Sequence, residues 1–283
     1  LKYIIFILLL FFSIPVRSDI QIIVPFSAGG AYDIIAREFQ RFLIKELNET
    51  IIVANVVGAG GYIGIDRLHS SPPKTLVFTS TSFYSYIIEK NIPLENFKYP
   101  ALLAEGPLFL AVTKKSRITC EQLRQTNNRY LFGTGGPGSN TAFPVMMLSK
   151  KYANFIDIPY KGSPQAIIDL LSGELHATFI TGFFDKRPEL ELIATTYSTR
   201  VANIPTLSEC LNINKTYQTP LLMIANISAD EEYLKTINRL AIKFVSENAE
   251  YFESRGLKTK QYDSKKIKEV IIDNINNIKS LSQ

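Results

Sequence analysis

Apolar residues from Ile20 onward fall in short runs separated by stretches of helical periodicity. The β-branched run Ile20–Val24 predicts a strand, a Gly-rich turn follows, and residues 32–47 then place Ile35, Phe39, Phe42 and Leu43 on one helical face. The same order recurs: a strand at 51–54, a Gly-rich turn at Gly58–Gly61, a short helix at 63–68 and a strand at 75–79. Apolar strands alternating with helices predict a parallel α/β sheet covered on both faces. Ligands bind such sheets at the turns that follow the strands.

Pro93, Pro100 and Pro107 interrupt the pattern, and the apolar runs at 101–104 and 108–112 read as extended crossings. A second alternation opens at Thr119, where Gln122 three residues on completes a capping box. It predicts strands at 130–132, 155–158 and 176–180 and helices at 140–152 and 164–171. Pro164 opens the last of these helices and Gly173 stands just past its end. A strand at 221–225 follows, then a helix capped by Ser228 and Glu231 that runs to about Asn248. A terminal helix opens at Asp263 or Ser264, with Ile267, Val270, Ile271, Ile275 and Ile278 in one stripe. Two units joined by crossings near 101–112 and 213–225 predict a two-lobed α/β clamshell, a mainly parallel sheet flanked by helices in each lobe. Residues 19–103 plus 221–283 form the first lobe, residues 104–220 the second, and the cleft lies between them.

Composition agrees with a globular chain: 283 residues, 46% apolar, 20% charged, 15 Gly and 14 Pro. Two histidines, His69 and His176, exclude a site built from several imidazoles. Two cysteines, Cys120 and Cys210, are too few for a zinc cluster; they either pair in an oxidising compartment or stay as buried thiols. The net charge of +5 is local. Lys2 and Arg17 supply two charges, residues 255–283 carry seven Lys or Arg against three acids, and residues 19–254 are left at −1. Tyr262 is the single aromatic residue among the C-terminal lysines, so a nucleic-acid platform is not indicated and a solvated helix face is.

The first residues have their own pattern. Lys2 and Tyr3 lead into the apolar run Ile4–Phe12, too short to span a bilayer comfortably, and Val16 and Ser18 stand at the two selective positions before a cut. This reads as a secretory signal peptide, residues 1–18, cleaved between Ser18 and Asp19, and predicts export to the periplasm. No later stretch is apolar for a spanning length.

Candidate chemistry sits on the turns. Pro25-Phe26-Ser27-Ala28-Gly29-Gly30-Ala31-Tyr32-Asp33 joins the first strand to the first helix, and its glycines let successive amides point outward beside a helix N-terminus. Asp33 either caps that helix or faces the cleft. Gly58–Gly61, the hydroxyls Ser80, Thr81 and Ser82, the turn Gly133–Asn140, and Tyr160-Lys161-Gly162-Ser163 all follow strands in the same way. Together they describe a polar cleft lined mainly by backbone. Gly133, Gly135 and Gly138 also satisfy G-x-G-x-x-G, with Asp157 where a ribose-binding acid belongs. Pro137 removes one amide donor from that loop, and export argues against a nicotinamide cofactor. Neither histidine has a nucleophile motif beside it, so neither catalysis nor a cofactor is expected.

The string Ile22-Ile23-Val24-Pro25-Phe26-Ser27-Ala28-Gly29-Gly30 with Asp33, then Gly58-Ala59-Gly60-Gly61-Tyr62-Ile63-Gly64, Ile158-Pro159-Tyr160-Lys161-Gly162-Ser163 and Ile204-Pro205-Thr206-Leu207 resembles, in order and across nearly the whole mature chain, the tripartite tricarboxylate transporter receptors, the Bug solute-binding proteins. The resemblance implies a periplasmic-binding-protein fold that closes on a small organic carboxylate and delivers it to a tripartite tricarboxylate-type membrane permease. A membrane sensor is the alternative partner. It implies a ligand site made of Phe26, Ser27, Ala28, Gly29, Gly30 and Asp33, with Ser80 and Ser82 near it, and of Gly136, Ser139, Asn140, Tyr160 and Lys161 from the second lobe. A monomer without nucleic-acid partner, metal or cofactor is expected. Asn140 stands where the family often carries His and cannot switch charge. Val56-Val57 and Pro72-Pro73-Lys74 also depart from the family's usual turns, and connections after Thr181 are shorter.

Overall fold

The computed structural model describes residues 20–125, 127–182 and 187–282, with side chains to residue 280. The proposed signal segment and its cut lie outside the described residues. The chain forms strands β1 (Ile20–Val24), β2 (Ile51–Asn55), β3 (Thr75–Thr79), β4 (Phe97–Gly106), β5 (Leu108–Thr113), β6 (Tyr130–Thr134), β7 (Phe155–Pro159), β8 (Ala177–Thr181), β9 (Leu190–Thr195), β10 (Thr219–Asn226) and β11 (Lys258–Thr259). Between them run helices α1 (Ala31–Leu47), α2 (Tyr62–Arg67), α3 (Ser82–Lys90), α4 (Cys120–Arg124), α5 (Ala142–Lys151), α6 (Ser163–Ser172), α7 (Leu207–Leu211), α8 (Glu231–Glu247), α9 (Ala249–Glu253) and α10 (Ser264–Ser282).

Two sheets result, ordered β11-β4-β10-β3-β1-β2 and β7-β6-β8-β5-β9. In the first, β1 pairs in parallel with β2 and β3, with Ile22 opposite Val53 and Leu76. In the second, β6 pairs in parallel with β7 and β8. The long crossing strands then complete each sheet antiparallel, β4 against β10 and β5 against β8 and β9. Each sheet is therefore mixed, with its parallel half where the strand–helix alternation is strongest. The chain leaves the first sheet at Gly106, enters the second at Leu108 and returns at Thr219.

Burial follows the two-residue period of a strand. Ile22, Val24, Leu76, Phe78, Leu221 and Met223 face one apolar cluster with α1 and α8, while Ile23, Val77, Leu222 and Ile224 face the other with α2, α3 and α10. Both faces are covered, which is why these strands read as continuous apolar runs. Ile267, Ile271, Ile275 and Ile278 of α10 are buried as their spacing predicts. The capping box of Thr119 and Gln122 forms at α4. Gly173 ends α6 in the left-handed conformation. One cap differs from expectation: α8 is capped by Asp230, whose Oδ1 accepts from the amides of Glu232 and Tyr233, each at 3.0 Å. Ser228 instead donates to Asn226 Oδ1. A carboxylate one residue before the helix is the stronger acceptor for its first amides.

The sequence left the cysteines open. In the structure Cys120 of α4 and Cys210 of α7 form a disulfide across 90 residues of chain, with Cα atoms 5.0 Å apart. No helix among the described residues is long and apolar enough to cross a membrane.

Candidate functional site

Asp33 organises the first turn from behind. It lies in the first turn of α1, 3% exposed. Its carboxylate accepts from the Gly29 amide at 2.9 Å, from Arg37 Nε at 3.0 Å and from Asn55 Nδ2 at 2.9 Å. Asn55, at the end of β2, also donates to the carbonyl of Phe26 at 3.0 Å. Burial works against the charge, but Arg37, the Gly29 amide and Asn55 outweigh it and hold the carboxyl below its ordinary range. The turn is thereby fixed to β2 as well as to its own helix.

With Asp33 facing back, the front of the turn is left to backbone. Gly30 caps α1 and Gly162 caps α6, and neither helix has a side-chain cap. The first amides of a helix have no intrahelical acceptor, and each N-terminus carries about half a positive elementary charge. Both ends open on one cavity of about 280 Å³ between the sheets, whose walls include Gly30, Ala31 and Tyr32 on one side and Gly162, Ser163 and Pro164 on the other. The turns Gly58–Gly61 and Gly135–Asn140 complete it. One helix N-terminus from each lobe thus faces the same small space.

The lobes meet around this cavity in direct contact. Ser27 Oγ donates to the carbonyl of Lys161 at 3.1 Å. A Cβ added at Gly162 would stand 2.9 Å from Ser27 Cβ and nearer still to Ser27 Oγ. One added at Gly60 would run into the carbonyl oxygen of Pro137. Glycine at these places is what lets the walls approach.

Of the residues expected from the sequence, Phe26, Ser27 and Gly30 line the cavity from the first lobe. Gly136, Ser139, Asn140, Tyr160 and Lys161 line it from the second. Several do so as wall rather than donor. The Gly136 amide is committed to Thr134 Oγ1 at 3.2 Å. The Tyr160 hydroxyl donates to Asp169 Oδ2 at 2.7 Å, and burial together with Asp169 pushes that phenol up to about 12. Ser139, 2% exposed, shares a hydrogen bond with Thr141 Oγ1, which also accepts from the Gly135 amide at 2.8 Å.

Ala28, Gly29, Asp33, Ser80 and Ser82 do not line the cavity. Asp33 and Gly29 satisfy each other behind the turn, as described. Ser80 and Ser82 are fully buried and bond to each other at 3.1 Å, and Ser82 packs beneath Gly61. Their hydroxyls support the second Gly-rich turn instead of facing a ligand.

Tyr32 is the wall residue that sequence reasoning passed over as a helix position. It is 4% exposed; its hydroxyl bonds Thr219 Oγ1 at 2.9 Å and donates to the carbonyl of Pro220 at 3.0 Å. Burial keeps its phenol neutral, well above the ordinary range, against the neighbouring Thr219, Ser80 and Asn140 side chains. The signal was its place two residues after Gly30, inside the turn motif. Pro164 and Thr181 also line the cavity without a sequence signal for it: one marks a helix start, and the other lies at a strand end.

The G-x-G-x-x-G turn supplies Gly135 and Gly136 to the cavity, but Asp157 is not among its walls. That carboxylate accepts from Thr134 Oγ1 at 2.7 Å, and burial raises its pKa. No ribose-binding acid therefore faces the space. Neither histidine lines it, and no group of His, Cys, Asp and Glu among the described residues could hold a metal ion.

A mixed α/β sheet in each of two lobes, with a polar cleft at the helix N-termini between them, defines the class of two-lobed solute-binding proteins. The solved structures that resemble it have this architecture. A Rhodopseudomonas palustris protein with adipate superposes with a TM-score of 0.84 at 19% identity, over 95% of this chain and 97% of that one. MatC of Rhodopseudomonas palustris with bound malate gives 0.82 at 18%, over 95% and 100%. Residues 35–283 match the model of the tripartite tricarboxylate transporter family receptors, and the chain belongs to that family. The family is one of solute-binding receptors, not of enzymes, which removes the dinucleotide reading. Protein BugT of Bordetella pertussis is 31% identical over 183 residues, 58% of this chain. The matched stretch spans 56% of BugT's own length, and 49% and 61% of two other curated relatives.

Proposed function

We propose that the protein is a periplasmic receptor that captures a small organic carboxylate in the interlobe cleft and hands it to a tripartite tricarboxylate-type permease. The observation that carries this reading is the pair of uncapped helix N-termini, α1 and α6, opening on one cavity. Amides at a helix N-terminus bind anions, and each charge-assisted hydrogen bond is worth about 1.5–3 kcal/mol. A carboxylate bridging the two ends interacts with both lobes only when they are together, so it shifts the population toward the closed form. The division into lobes near residues 104 and 220 is part of this proposal. The signal-like first 18 residues and the Cys120–Cys210 disulfide support an oxidising location outside the cytoplasm. Adipate and malate in the two structural neighbours support the ligand class.

The test is a panel of di- and tricarboxylates, aromatic acids and acidic amino acids, followed by thermal unfolding and by small-angle scattering. At least one acid should raise the melting temperature and reduce the radius of gyration. A panel that produces neither effect overturns the proposal.

A further inference from the structure

Beside the site just described lies a second cavity of about 440 Å³. The two share Ile180 and Thr181 at the end of β8 as common wall. Its floor is apolar, formed by Phe109, Leu192, Val201 and Ile204. Its charged walls are Lys114, Arg187 and Arg255, with no carboxylate side chain among the described residues that line it.

Two residues of this wall each carry a buried polar atom without a partner. Thr181 is 7% exposed, and its Oγ1 has no hydrogen bond. Arg255 Nε is buried and has no acceptor. A buried donor left unpaired is costly, and a charged one more so, unless something absent from the protein itself completes it. The guanidinium is nonetheless held in place: it lies over the Tyr251 ring at 3.9 Å, and Nη1 donates to the Tyr251 carbonyl at 3.5 Å. The segment is also pressed against the second lobe, since a Cβ at Gly182 would meet the Arg255 carbonyl. Arg255 is thus a fixed cation from the first lobe, standing at the end of a β8 strand that belongs to the second.

We propose that this cavity is a second anion subsite, and that Arg255, assisted by Thr181, selects ligands with a second anionic group at the far end of an apolar body. The inference rests on the carboxylate reading of the first cavity. An acid held at the helix N-termini would extend past Thr181 over the apolar floor, and its far anion would pair with the Arg255 guanidinium.

The test is calorimetric titration with straight-chain α,ω-dicarboxylates of four to ten carbons and with monocarboxylates of equal length. At the best chain length the diacid should bind roughly ten-fold or more tighter than its monoacid. Arg255→Gln should erase that ratio by weakening the diacid alone, Arg255→Lys should keep part of it, and Thr181→Val should reduce it. Unchanged melting temperatures of the ligand-free variants guard against misfolding. Equal binding of diacid and monoacid at every length, or equal weakening of both by Arg255→Gln, overturns the subsite while leaving the first cavity's reading intact. No binding of either series overturns the subsite, whereas the first cavity's reading falls only if the wider acid panel fails as well.

Discussion

Gly162→Ala tests lobe closure at the contact between Ser27 and the start of α6. Gly162 has φ 166°, extended backbone that alanine adopts without strain, so the only obstacle is the space opposite. The new Cβ would stand 2.9 Å from Ser27 Cβ and 3.4 Å from the Ser27 amide nitrogen, with Ser27 Oγ closer than either. Carbon atoms settle at about 3.5–4.0 Å, so the lobes must part by roughly half an ångström or more, or Ser27 must turn away. Turning away breaks the Ser27–Lys161 hydrogen bond, worth about 0.5–1.5 kcal/mol, and overpacking adds about 1–3 kcal/mol. The closed state therefore loses about 1.5–4.5 kcal/mol, which weakens the Kd by roughly ten-fold to a thousand-fold. Titration with the tightest acid of the panel reads this directly, and scattering should show less compaction at saturation. A Kd within two-fold of the parent, with full compaction, would refute the claim that this contact belongs to the binding-competent closed form.

Other substitutions probe the supports of the site. Asp33→Ala leaves the Gly29 amide and Arg37 Nε without their acceptor, takes one of two acceptors from Asn55 Nδ2, and should cost about 1–3 kcal/mol in urea unfolding. The Asp33 carboxyl is held below its ordinary value of 3.8, so its contribution is complete above that value and fades as pH falls through the lower folded one. The stability gap between the parent and Asp33→Asn should accordingly narrow only below about pH 4, measured by unfolding across an acid series. Tyr32→Phe removes two buried hydrogen bonds and should lower stability by about 1–2 kcal/mol while weakening the acid titrated. Replacing both cysteines by serine frees a 90-residue loop and should cost about 2–5 kcal/mol in guanidinium unfolding; thiol reagent should find no free cysteine in the unfolded, unreduced parent.

Much of the scaffold was legible because its signals are local. The β1 run, the Thr119–Gln122 capping box and the Pro164 and Gly173 helix limits depend on residues within a few positions of one another. What escaped was short or tertiary. Helix α7 has five residues, too few to show a period, and β9 lies where the sequence pattern predicts no strand. Eight of the expected site residues line the cavity because turns after parallel strands converge wherever the sheet puts them. The orientation of each side chain was not legible: Asp33 turns back because Asn55 and Arg37 meet it from β2 and α1, and Ser80 and Ser82 face inward because their loop is buried. The disulfide likewise depends on α4 and α7 packing together, which spacing in sequence does not reveal.

The central claim is that uncapped backbone amides at α1 and α6 grip a carboxylate. Competition between an acid of the panel and its methyl ester tests this most directly, because the ester keeps the size and loses the charge. The free acid should bind and the ester should be weaker by roughly a hundred-fold or more, the loss of one or two charge-assisted hydrogen bonds. An ester or neutral amide that binds as tightly as its acid would contradict the account.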